Sequence, residues 1–436
     1  MALVHPKSCE SVHTGLDLFS VPPTQTAVRD GQWVEYHPLA TLAPNAPIEF
    51  IVSGATADYI DMNNSYLHVK AKVTKNDGSA PLAADVGFAP VNYWMHSLFS
   101  QVDVLLNDTL VTPSENTYPY RAYIESTLNY GREAKETHLT SALYYQDTAE
   151  QLDSRDETLN AGFKKRHDHA HQGRVVDMEG RLHCDIFHQN RLLMNGVDVK
   201  IRLIPSKSSF NLIGPDDTYR SIITHASFFA RKIRLNPAVA LAQAKALEIA
   251  PAKYPVKRVV VKTFTVPRGN ASVVQDNLFL SQTPNRLVIG LVASDAFNGS
   301  IITNPFHFAT HDVSFLSLYL DGKQVPSKPL QPNFAAGQFI RSYYNSMVAS
   351  GLANRDAGSN ISRDDFAGGF ALYSLDLTPS LLDDNELFEL VKSGALRLEI
   401  KFSRAQNASL TVVVWAEMDN MIEIDRSRQV LTNFSL

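Results

Sequence analysis

The two halves of this chain of 436 residues repeat the same succession of sequence patterns. In each half, an alternating apolar run leads into a short turn, a Pro-Ser segment and a stretch with helix-like composition. The first set comprises Val102–Leu106, Asn107–Asp108, Val111–Ser114 and Tyr118–Tyr130, and the second comprises Leu316–Leu320, Asp321–Gly322, Val325–Ser327 and Gly337–Val348. A further pair of alternating runs follows in the same order, Asp198–Ile204 and Leu396–Phe402. The paired segments are offset by about 214 and about 197 residues, and a strand-based repeat of roughly half the chain predicts two similar β-domains in tandem.

The formal charge of the chain is nearly balanced, and this excludes one class of function. With a net charge of -5 and a sequence pI near 6.3, the chain has no global basic field to hold nucleic acid. The first thirty residues contain only Lys7 and Arg29 as permanent cations. We therefore expect no direct, sequence-specific binding of nucleic acid.

The cysteines and the start of the chain indicate a cellular compartment. Cys9 and Cys184 lie far apart in sequence, which excludes a disulfide framework and suggests a reducing environment. Met1–Asp17 contains no cationic segment followed by an apolar one, so we expect no signal peptide. The longest apolar helix-like stretch, Pro237–Ala250, is too short to span a bilayer. These features predict a soluble chain inside the cell without membrane insertion.

Changes of composition along the chain predict four parts. They are an irregular N-terminal arm (residues 1–30), a first β-domain (31–235), a helical connector (236–255) and a second β-domain (256–436). Asn236 as a cap and Pro237 at the first helical position mark the start of the connector helix. An apolar run in the arm has no period of its own, so we expect it to contact another subunit. The residues of this predicted contact are Phe19, Val21, Pro22 and Pro23.

Runs rich in Val, Ile, Tyr and Phe, bounded by Asn, Asp, Gly and Pro, predict strands in both halves. In the first half they are Trp33–Tyr36, Pro47–Val52, Tyr66–Val73, Leu98–Leu106, Val175–Phe187, Asp198–Ile204 and Ile222–Leu235. In the second half they are Val256–Val266, Arg286–Ala293, Val313–Leu320, Ala395–Phe402, Leu410–Glu417 and Met421–Ile424. The long inserts between strands favour a sandwich in which strands cross between two sheets. Two segments, Asp147–Arg174 and Ser350–Asp365, are predicted to be exposed loops.

Three alternating histidines form the most plausible metal-binding pattern. His167, His169 and His171 would share one face of an extended segment, where imidazoles suit a transition metal. The adjacent cations of Lys164–Arg166 disfavour another positive ion. The preferred interpretation is a solvated loop, sensitive to pH at a contact between subunits. We predict no metal and no cofactor.

Candidate catalytic groups are few. Asp376 with Asp383–Asp384, or Asp364–Asp365, offers the carboxylate pair that glycoside hydrolysis needs, although turn and cap roles are commoner for Asp. Motifs for phosphate-binding loops, zinc hydrolases, redox dithiols and serine hydrolases are absent. We predict no enzymatic activity and no catalytic residue. Aromatic rings suited to sugar stacking are interpreted as core or interface anchors; they belong to Tyr93, Trp94, Phe99, Tyr118, Tyr120 and Tyr123.

Long strings of unusual sequence are spread over nearly the whole chain. They are Leu18–Thr26, Gly31–Pro38, Asn45–Phe50, His96–Val102, Asn116–Tyr123, Asn195–Lys200, Asp276–Phe279, Val325–Pro332 and Glu423–Arg426. These strings resemble the double jelly-roll major capsid protein of Polinton/Maverick elements and adintoviruses. The resemblance implies an all-β fold of two tandem jelly-roll β-sandwiches, with short helices in the insertions between strands.

The resemblance also implies a function. Members of that family are structural proteins whose homotrimers form hexon-like, pseudo-hexagonal capsomers, which tile an icosahedral shell around double-stranded DNA. The implied partners are neighbouring capsomers and a penton-type minor capsid protein. The implied location is the virion, after assembly inside the host cell, with the nucleus as the expected place. The alternative is a tandem β-sandwich that binds or processes carbohydrate, which saturable sugar binding or turnover would reveal.

Overall fold

The structure is a computed structural model that describes residues 5–55, 57–82, 85, 87–279, 282–379, 381 and 387–432. Within these ranges the first half contains ten strands: β1 (Val28–Tyr36), β2 (Ile48–Val52), β3 (Tyr59–Lys75), β4 (Ala89–Pro90), β5 (Phe99–Leu106), β6 (Thr109–Leu110), β7 (Val176–Gly180), β8 (Val199–Pro205), β9 (Leu212–Ile213) and β10 (Tyr219–Leu235). The second half contains β11 (Ala252–Val266), β12 (Ser272–Gln275), β13 (Arg286–Ala293), β14 (Val313–Leu320), β15 (Lys323–Leu330), β16 (Tyr373–Asp376), β17 (Leu396–Phe402), β18 (Leu410–Ile424) and β19 (Val430–Thr432). The α-helices are α1 (Trp94–Ser97), α2 (Tyr118–Asn129), α3 (Arg132–Glu136), α4 (Ala161–Ala170), α5 (Ser208–Asn211), α6 (Pro237–Ile249), α7 (Ser294–Asn298), α8 (Ile340–Ala349) and α9 (Arg363–Ala367).

Each half of the chain builds two antiparallel sheets. The first half forms sheet A, with strand order β1-β10-β3-β7, and sheet B, with order β2-β8-β5-β6. The second half forms sheet C, with order β11-β18-β13-β16 and β19 beside β18, and sheet D, with order β12-β17-β14-β15. The short strands β4 and β9 pair separately.

The strand order is the same in both halves. When the eight strands that build the two large sheets of each half are numbered along the chain, both halves give the orders 1-8-3-6 and 2-7-4-5. This arrangement, in which successive strands cross between two facing sheets, is the jelly roll. The predicted all-β fold of two tandem jelly rolls is confirmed.

The core of each jelly roll lies between its two sheets. In β17 the residues alternate between buried and more exposed, because successive side chains of a strand point to opposite faces. In the first jelly roll, Leu67 of β3 pairs with Phe228 of β10, and both are 0 % exposed. The ring of Phe228 lies 6.3 Å from that of Phe50 in β2, which places this face of sheet A toward sheet B.

Most predicted strands are present, with some differences. The predicted strand Val175–Phe187 ends at Gly180, and Asp185–His188 forms a 3-10 turn instead. The two last predicted strands form one strand, β18. Strands β12, β15, β16 and β19 were not predicted, and neither were the two-residue strands β4, β6 and β9. β15 contains prolines, which a strand tolerates at a sheet edge, and it lies at the edge of sheet D.

Two of the predicted helices lie at equivalent positions in the two halves. Helices α2 and α8 each follow the fifth strand and precede the sixth strand of their jelly roll. The predicted connector helix is α6, where the Asn236 side chain accepts a hydrogen bond from the N–H of Ala238. β1 begins at Val28 and β11 at Ala252, inside the predicted arm and connector. The four-part division of the chain stays a prediction.

The prediction that Asp147–Arg174 is an exposed loop is wrong. The segment contains α4, whose Arg166 and Phe163 are 0 % exposed. The Arg166 guanidinium lies 2.6 Å from the Asp147 carboxylate and also donates to the carbonyl oxygens of Pro90 and Tyr145. The charges of Arg166 and Asp147 are therefore satisfied inside the protein, although Lys164 and Lys165 of the same helix are exposed. The charged composition of the segment did not indicate which of its residues face solvent.

The helix also removes the face that the three histidines were predicted to share. At about 100° per residue, side chains two positions apart point in nearly opposite directions. His167 donates from Nδ1 to the carbonyl of Phe88 at 2.7 Å, whereas His169 Nε2 lies 3.0 Å from the Tyr145 hydroxyl. His171 donates to a carbonyl within its own segment. Each ring has a separate partner, and the three do not form a common site.

The other predicted loop, Ser350–Asp365, is mostly exposed or half-buried. Its end enters α9, where Ser362 and Asp365 form a capping box. Asp365 therefore has a structural role in a helix cap. Asp376 likewise accepts hydrogen bonds from the backbone and hydroxyl of Thr378. Asp383–Asp384 lie outside the described residues.

Candidate functional site: the interface between the two jelly rolls

Helix α2 is the centre of the contact between the two jelly rolls. It belongs to the first jelly roll by sequence, and every one of its residues except Asn129 is buried. A proline in its first turn favours the helix start, because the missing N–H would have no partner there. At the end of the helix, the Asn129 side chain accepts hydrogen bonds from Arg286 of β13 at 3.4 Å. The helix therefore reaches across to sheet C of the second jelly roll.

Aromatic rings from both halves form the apolar part of this interface. Tyr120 of α2 stacks on Phe297 at 5.3 Å and lies edge-on to Phe306 and Phe308. Tyr123 lies parallel to Phe306, with ring centroids 4.2 Å apart. Pairs of this kind contribute about 0.5–1.5 kcal/mol each beyond the area they bury. The aromatic rings of α2, predicted to be core or interface anchors, are placed in both roles.

A buried ionic cluster lies beside the rings. The guanidinium of Arg121 is 2.9 Å from Glu125 and 2.7 Å from Asp185, and His183 Nδ1 is 2.7 Å from the second oxygen of Glu125. Burial alone would lower the pKa of Arg121, but the two carboxylates outweigh it and raise that pKa. Burial raises the pKa of Glu125 less than Arg121 and His183 lower it, so its net shift is downward. For Asp185, burial prevails and the pKa is raised.

Side chains of the first jelly roll satisfy the open edge of a strand in the second. β11 is an edge strand of sheet C, so alternate backbone groups on its free side lack a ladder partner. The N–H of Val259 donates to Asp185 at 3.3 Å, and the N–H of Val261 donates to Glu115 at 3.0 Å. The hydroxyl of Thr117 donates to the carbonyl of Val261. Sheet C is thereby joined to the first jelly roll through directed hydrogen bonds.

The segment Asp147–Arg174, which was predicted to be an exposed loop, adds a second polar contact between the two halves. Asn304 donates from its side chain to the Asp147 carboxylate at 3.1 Å and to the carbonyl of Leu152 at 3.0 Å. The side chain of Asp153 accepts from the backbone N–H of Asn304. Lys135, which is 3 % exposed, donates to a carbonyl of α2 and to the carbonyl of Ser359 in the second half. The interface thus contains aromatic, ionic and backbone contacts, with a buried centre and partly exposed contacts at Asn129 and Asp153.

Among the described residues, one group could in principle hold a metal ion. Ligand atoms of Glu125, His183 and His188 lie within 4.8 Å of one another. Both nitrogens of His183 already face protein partners, since Nε2 lies 3.0 Å from the Tyr93 hydroxyl. Glu125 is held by Arg121 and His183. Glu125 and His183 are therefore occupied by protein partners, and the prediction of no metal and no cofactor stays a prediction.

The residues predicted to contact another subunit lie outside this interface. Residues 5–27 of the arm are exposed along their whole length, with Phe19 at 95 % and Val21 at 87 %. Pro22 and Pro23 are exposed as well. Their contact with a subunit stays a prediction.

Sequence reasoning missed the ionic cluster, because its members come from segments far apart in the chain and carry no shared local pattern.

The rings considered for sugar stacking are all buried. Tyr93, Trp94 and Phe99 are at most 3 % exposed, and the three tyrosines of α2 are at most 6 % exposed. None of these rings presents a face to a ligand in solvent.

Within the described chain, no helix is both long and apolar enough to cross a membrane.

Comparison with known proteins gives one relative in sequence and several in structure. No family model matches the chain. An uncharacterized protein of Caenorhabditis elegans is 25% identical over 426 residues, which cover 95% of this chain and 99% of that protein. The correspondence spans both jelly rolls of the chain.

Several solved structures that resemble the chain come from viruses. A chain of the Sputnik virophage, solved by cryo-EM, has a TM-score of 0.64 at 13% identity and covers 100% of this chain and 95% of its own. The Faustovirus major capsid protein has a TM-score of 0.59 at 10% identity, and the match covers 94% of this chain and 93% of that one. The mavirus major capsid protein has a TM-score of 0.52 at 11% identity, and the match covers 99% of this chain and 97% of that one. At such identities the likeness shows the fold, which is the double jelly roll of viral major capsid proteins.

Proposed function

We propose that the protein is a structural major capsid protein without catalytic activity. The observation that carries this proposal is the same strand order in both halves, joined by a buried interface between them. One chain thereby becomes a single building block with two similar lobes. The likeness in fold to the major capsid proteins of Faustovirus and mavirus supports the proposal. So does the burial of the six rings that the sequence offered for sugar stacking.

The function is then a matter of geometry. Two similar jelly rolls side by side give one chain two nearly equivalent edges, so a homotrimer presents six. Such a hexon-like capsomer tiles an icosahedral shell around double-stranded DNA, with a penton-type minor capsid protein at the five-fold positions. The interface around α2 holds the two lobes at one fixed angle, which a regular tile requires. Membership of the Polinton/Maverick and adintovirus group, and a location in the virion after assembly in the nucleus, are part of the same proposal.

The N-terminal arm has a separate role in this proposal. Its apolar side chains, including Phe19 and Val21, are exposed in the single chain, which is costly unless another surface covers them. We infer that the arm, with Pro22 and Pro23, ties one capsomer to the next. Since the arm joins separate capsomers in this proposal, a trimer should form without it.

The test is the oligomeric state of the purified full-length protein. Size-exclusion chromatography with light scattering should give a mass three times that of the 48.3-kDa chain, and negative-stain images should show particles of hexagonal outline. A protein that stays monomeric at every concentration, or forms only dimers, would contradict the proposal. Saturable binding of a sugar by a monomer would instead favour the alternative function.

A further inference from the structure

Sheets A and C hold equivalent positions in the two jelly rolls, and the outer face of sheet C is covered. By outer face we mean the side turned away from the partner sheet. On sheet C this face carries Val288 and Trp415, which are paired in register and are 0 % and 1 % exposed. Helix α2 reaches it through Asn129, and Ser346 of α8 donates to the carbonyl of Leu372 at its edge. Two helices therefore shield this face from water.

The outer face of sheet A is not shielded in the same way. It carries Tyr66 and Phe229, which pair in register beside the core pair of Leu67 and Phe228 and so point to the opposite side. The rings of Tyr66 and Phe229 stack at 5.1 Å, and Trp33 lies 6.5 Å from Tyr66. We call Trp33, Tyr66 and Phe229 the aromatic face. Trp33 is 51 % exposed, and Tyr66 and Phe229 are half-buried.

The aromatic face has room for further side chains. A cavity of about 550 Å³ opens beside Tyr66, and its lining includes Tyr130 and His138 together with the charged residues Glu179 and Arg181. Arg231 stacks on the Trp33 ring at 4.0 Å, and Trp33 is still 51 % exposed. A concave surface that combines aromatic and polar residues in this way is typical of a contact with a protein partner.

Helix α8 matches α2 in sequence as well as in position. The segment that begins at Ile340 aligns with the one that begins at Tyr120, which places Arg341 opposite Arg121 and Gly351 opposite Gly131. The alignment also pairs Tyr343 with Tyr123 and Ser346 with Ser126, and both serines are buried.

The two helices differ in what covers them. Tyr120 and Ile124 of α2 are each 1 % exposed, and Tyr120 packs against Phe297 and Phe306 of the second jelly roll. Their counterparts in α8 are Ile340 and Tyr344, which are 42 % and 52 % exposed. α8 therefore presents to solvent the apolar positions that α2 buries in its contact with the other jelly roll.

We propose that α8 of one copy packs on the aromatic face of sheet A in a second copy. The contact would repeat between chains what α2 and sheet C form within one chain. It is heterologous, since one copy offers Ile340 and Tyr344 and the next offers the aromatic face. If each step, within a chain and between chains, turns by about 60°, three copies close into a ring of six jelly rolls. This inference rests on the proposed function and assigns the surfaces that form the homotrimer.

The first experiment tests α8 with a matched control. Tyr344→Asp places a charge at the centre of the proposed contact, and Leu241→Asp places one on the connector helix α6, where Leu241 is 59 % exposed. Removal of a central aromatic anchor weakens an interface on the order of 30-fold or more, and a buried unpaired charge weakens it further. We expect Y344D to be monomeric at concentrations where the wild type and L241D are trimeric. A trimeric Y344D would overturn the inference and leave the proposed function standing, whereas a monomeric wild type would refute the proposed function itself.

The second experiment uses the heterologous character of the contact. Trp33→Asp damages the aromatic face and leaves α8 intact, while Y344D does the reverse. Each variant alone should be monomeric with the circular dichroism spectrum of the wild-type fold. An equimolar mixture should contain a 1:1 dimer by analytical ultracentrifugation, because one intact contact remains possible between the two variants. A mixture that stays monomeric while the wild type is trimeric would show that these two surfaces do not meet.

Discussion

Removal of Arg121 should reveal how much the ionic cluster beside the interface contributes to the stability of the protein. The Arg121 side chain is 8 % exposed, and its partners Glu125 and Asp185 are 9 % and 1 % exposed. Arg121→Met keeps the volume of the side chain but leaves two buried carboxylates without their cation. Breaking a buried pair in this way costs about 3–5 kcal/mol, because the remaining charges cannot be solvated. We expect this loss in the free energy of unfolding by urea, measured at pH 7.

A matched exposed pair provides the control. Arg132 and Glu136 have the same four-residue spacing, with Nε 2.8 Å from the carboxylate, but they are 72 % and 60 % exposed. Arg132→Met should therefore cause no measurable loss. If Arg121→Met cost no more than the control, the cluster would contribute nothing to the interface and our argument from burial would be wrong.

The pH dependence supplies a second criterion for the same variant. In the wild type the pKa of Glu125 is lowered below its ordinary value, chiefly because Arg121 and His183 outweigh the effect of burial. Its contribution to stability is therefore present above the ordinary carboxylate pKa and is lost as the pH falls. Without Arg121, burial should raise the pKa of Glu125, as it already raises that of Asp185 in the wild type. The contribution of Glu125 to stability should then increase as the pH is lowered from 7 toward 5, which is opposite in sign to its contribution in the wild type. The stability lost in the variant relative to the wild type should therefore shrink over this range.

Three further outcomes test other parts of the structure. Tyr120→Ala should cost about 3–5 kcal/mol in unfolding experiments, whereas Tyr120→Phe should cost almost nothing, because the buried hydroxyl has no hydrogen-bond partner. Burial lowers the pKa of Lys135 from 10.5 to about 7, so the unfolded chain binds more protons than the folded one between these pH values. The free energy of unfolding should therefore rise with pH above about 7, by up to about 1.4 kcal/mol per pH unit. Lys135→Met should abolish this dependence on pH. Deletion of residues 1–24 should leave the trimer intact by light scattering and impair assembly of shells seen by electron microscopy; the deletion stops there because Gln25 bonds to Val28, where β1 begins.

Several elements could be predicted from local sequence because their side chains alternate with the period of a strand. The strands β13 and β14 were predicted with their observed bounds, and β17 to within one residue. The helix of the first repeat was predicted nearly as it is, since its proline and its small and aromatic residues follow the rules for a helix start. β16 was missed because four residues carry too little periodicity to stand out.

The burial of polar residues could not be predicted from the sequence. Asp147 and Arg166 looked like surface charges, since a charged residue gives no local indication of whether a partner will meet it in the interior. Their pairing depends on α4 folding back over β4 and on Asn304 arriving from the second half. Such contacts join positions separated by many residues, and no periodic pattern encodes them.

The sequence by itself determined that the chain is a duplicated β-protein, because repeated strand patterns and their spacing are local properties that survive in linear order. Only the tertiary structure decided how the two copies differ. It buries one face of α2 against sheet C and leaves the same face of α8, and the aromatic face of sheet A, open to solvent. The physical reason is that burial is a property of what lies opposite a side chain, and equivalent residues in the two repeats meet different neighbours.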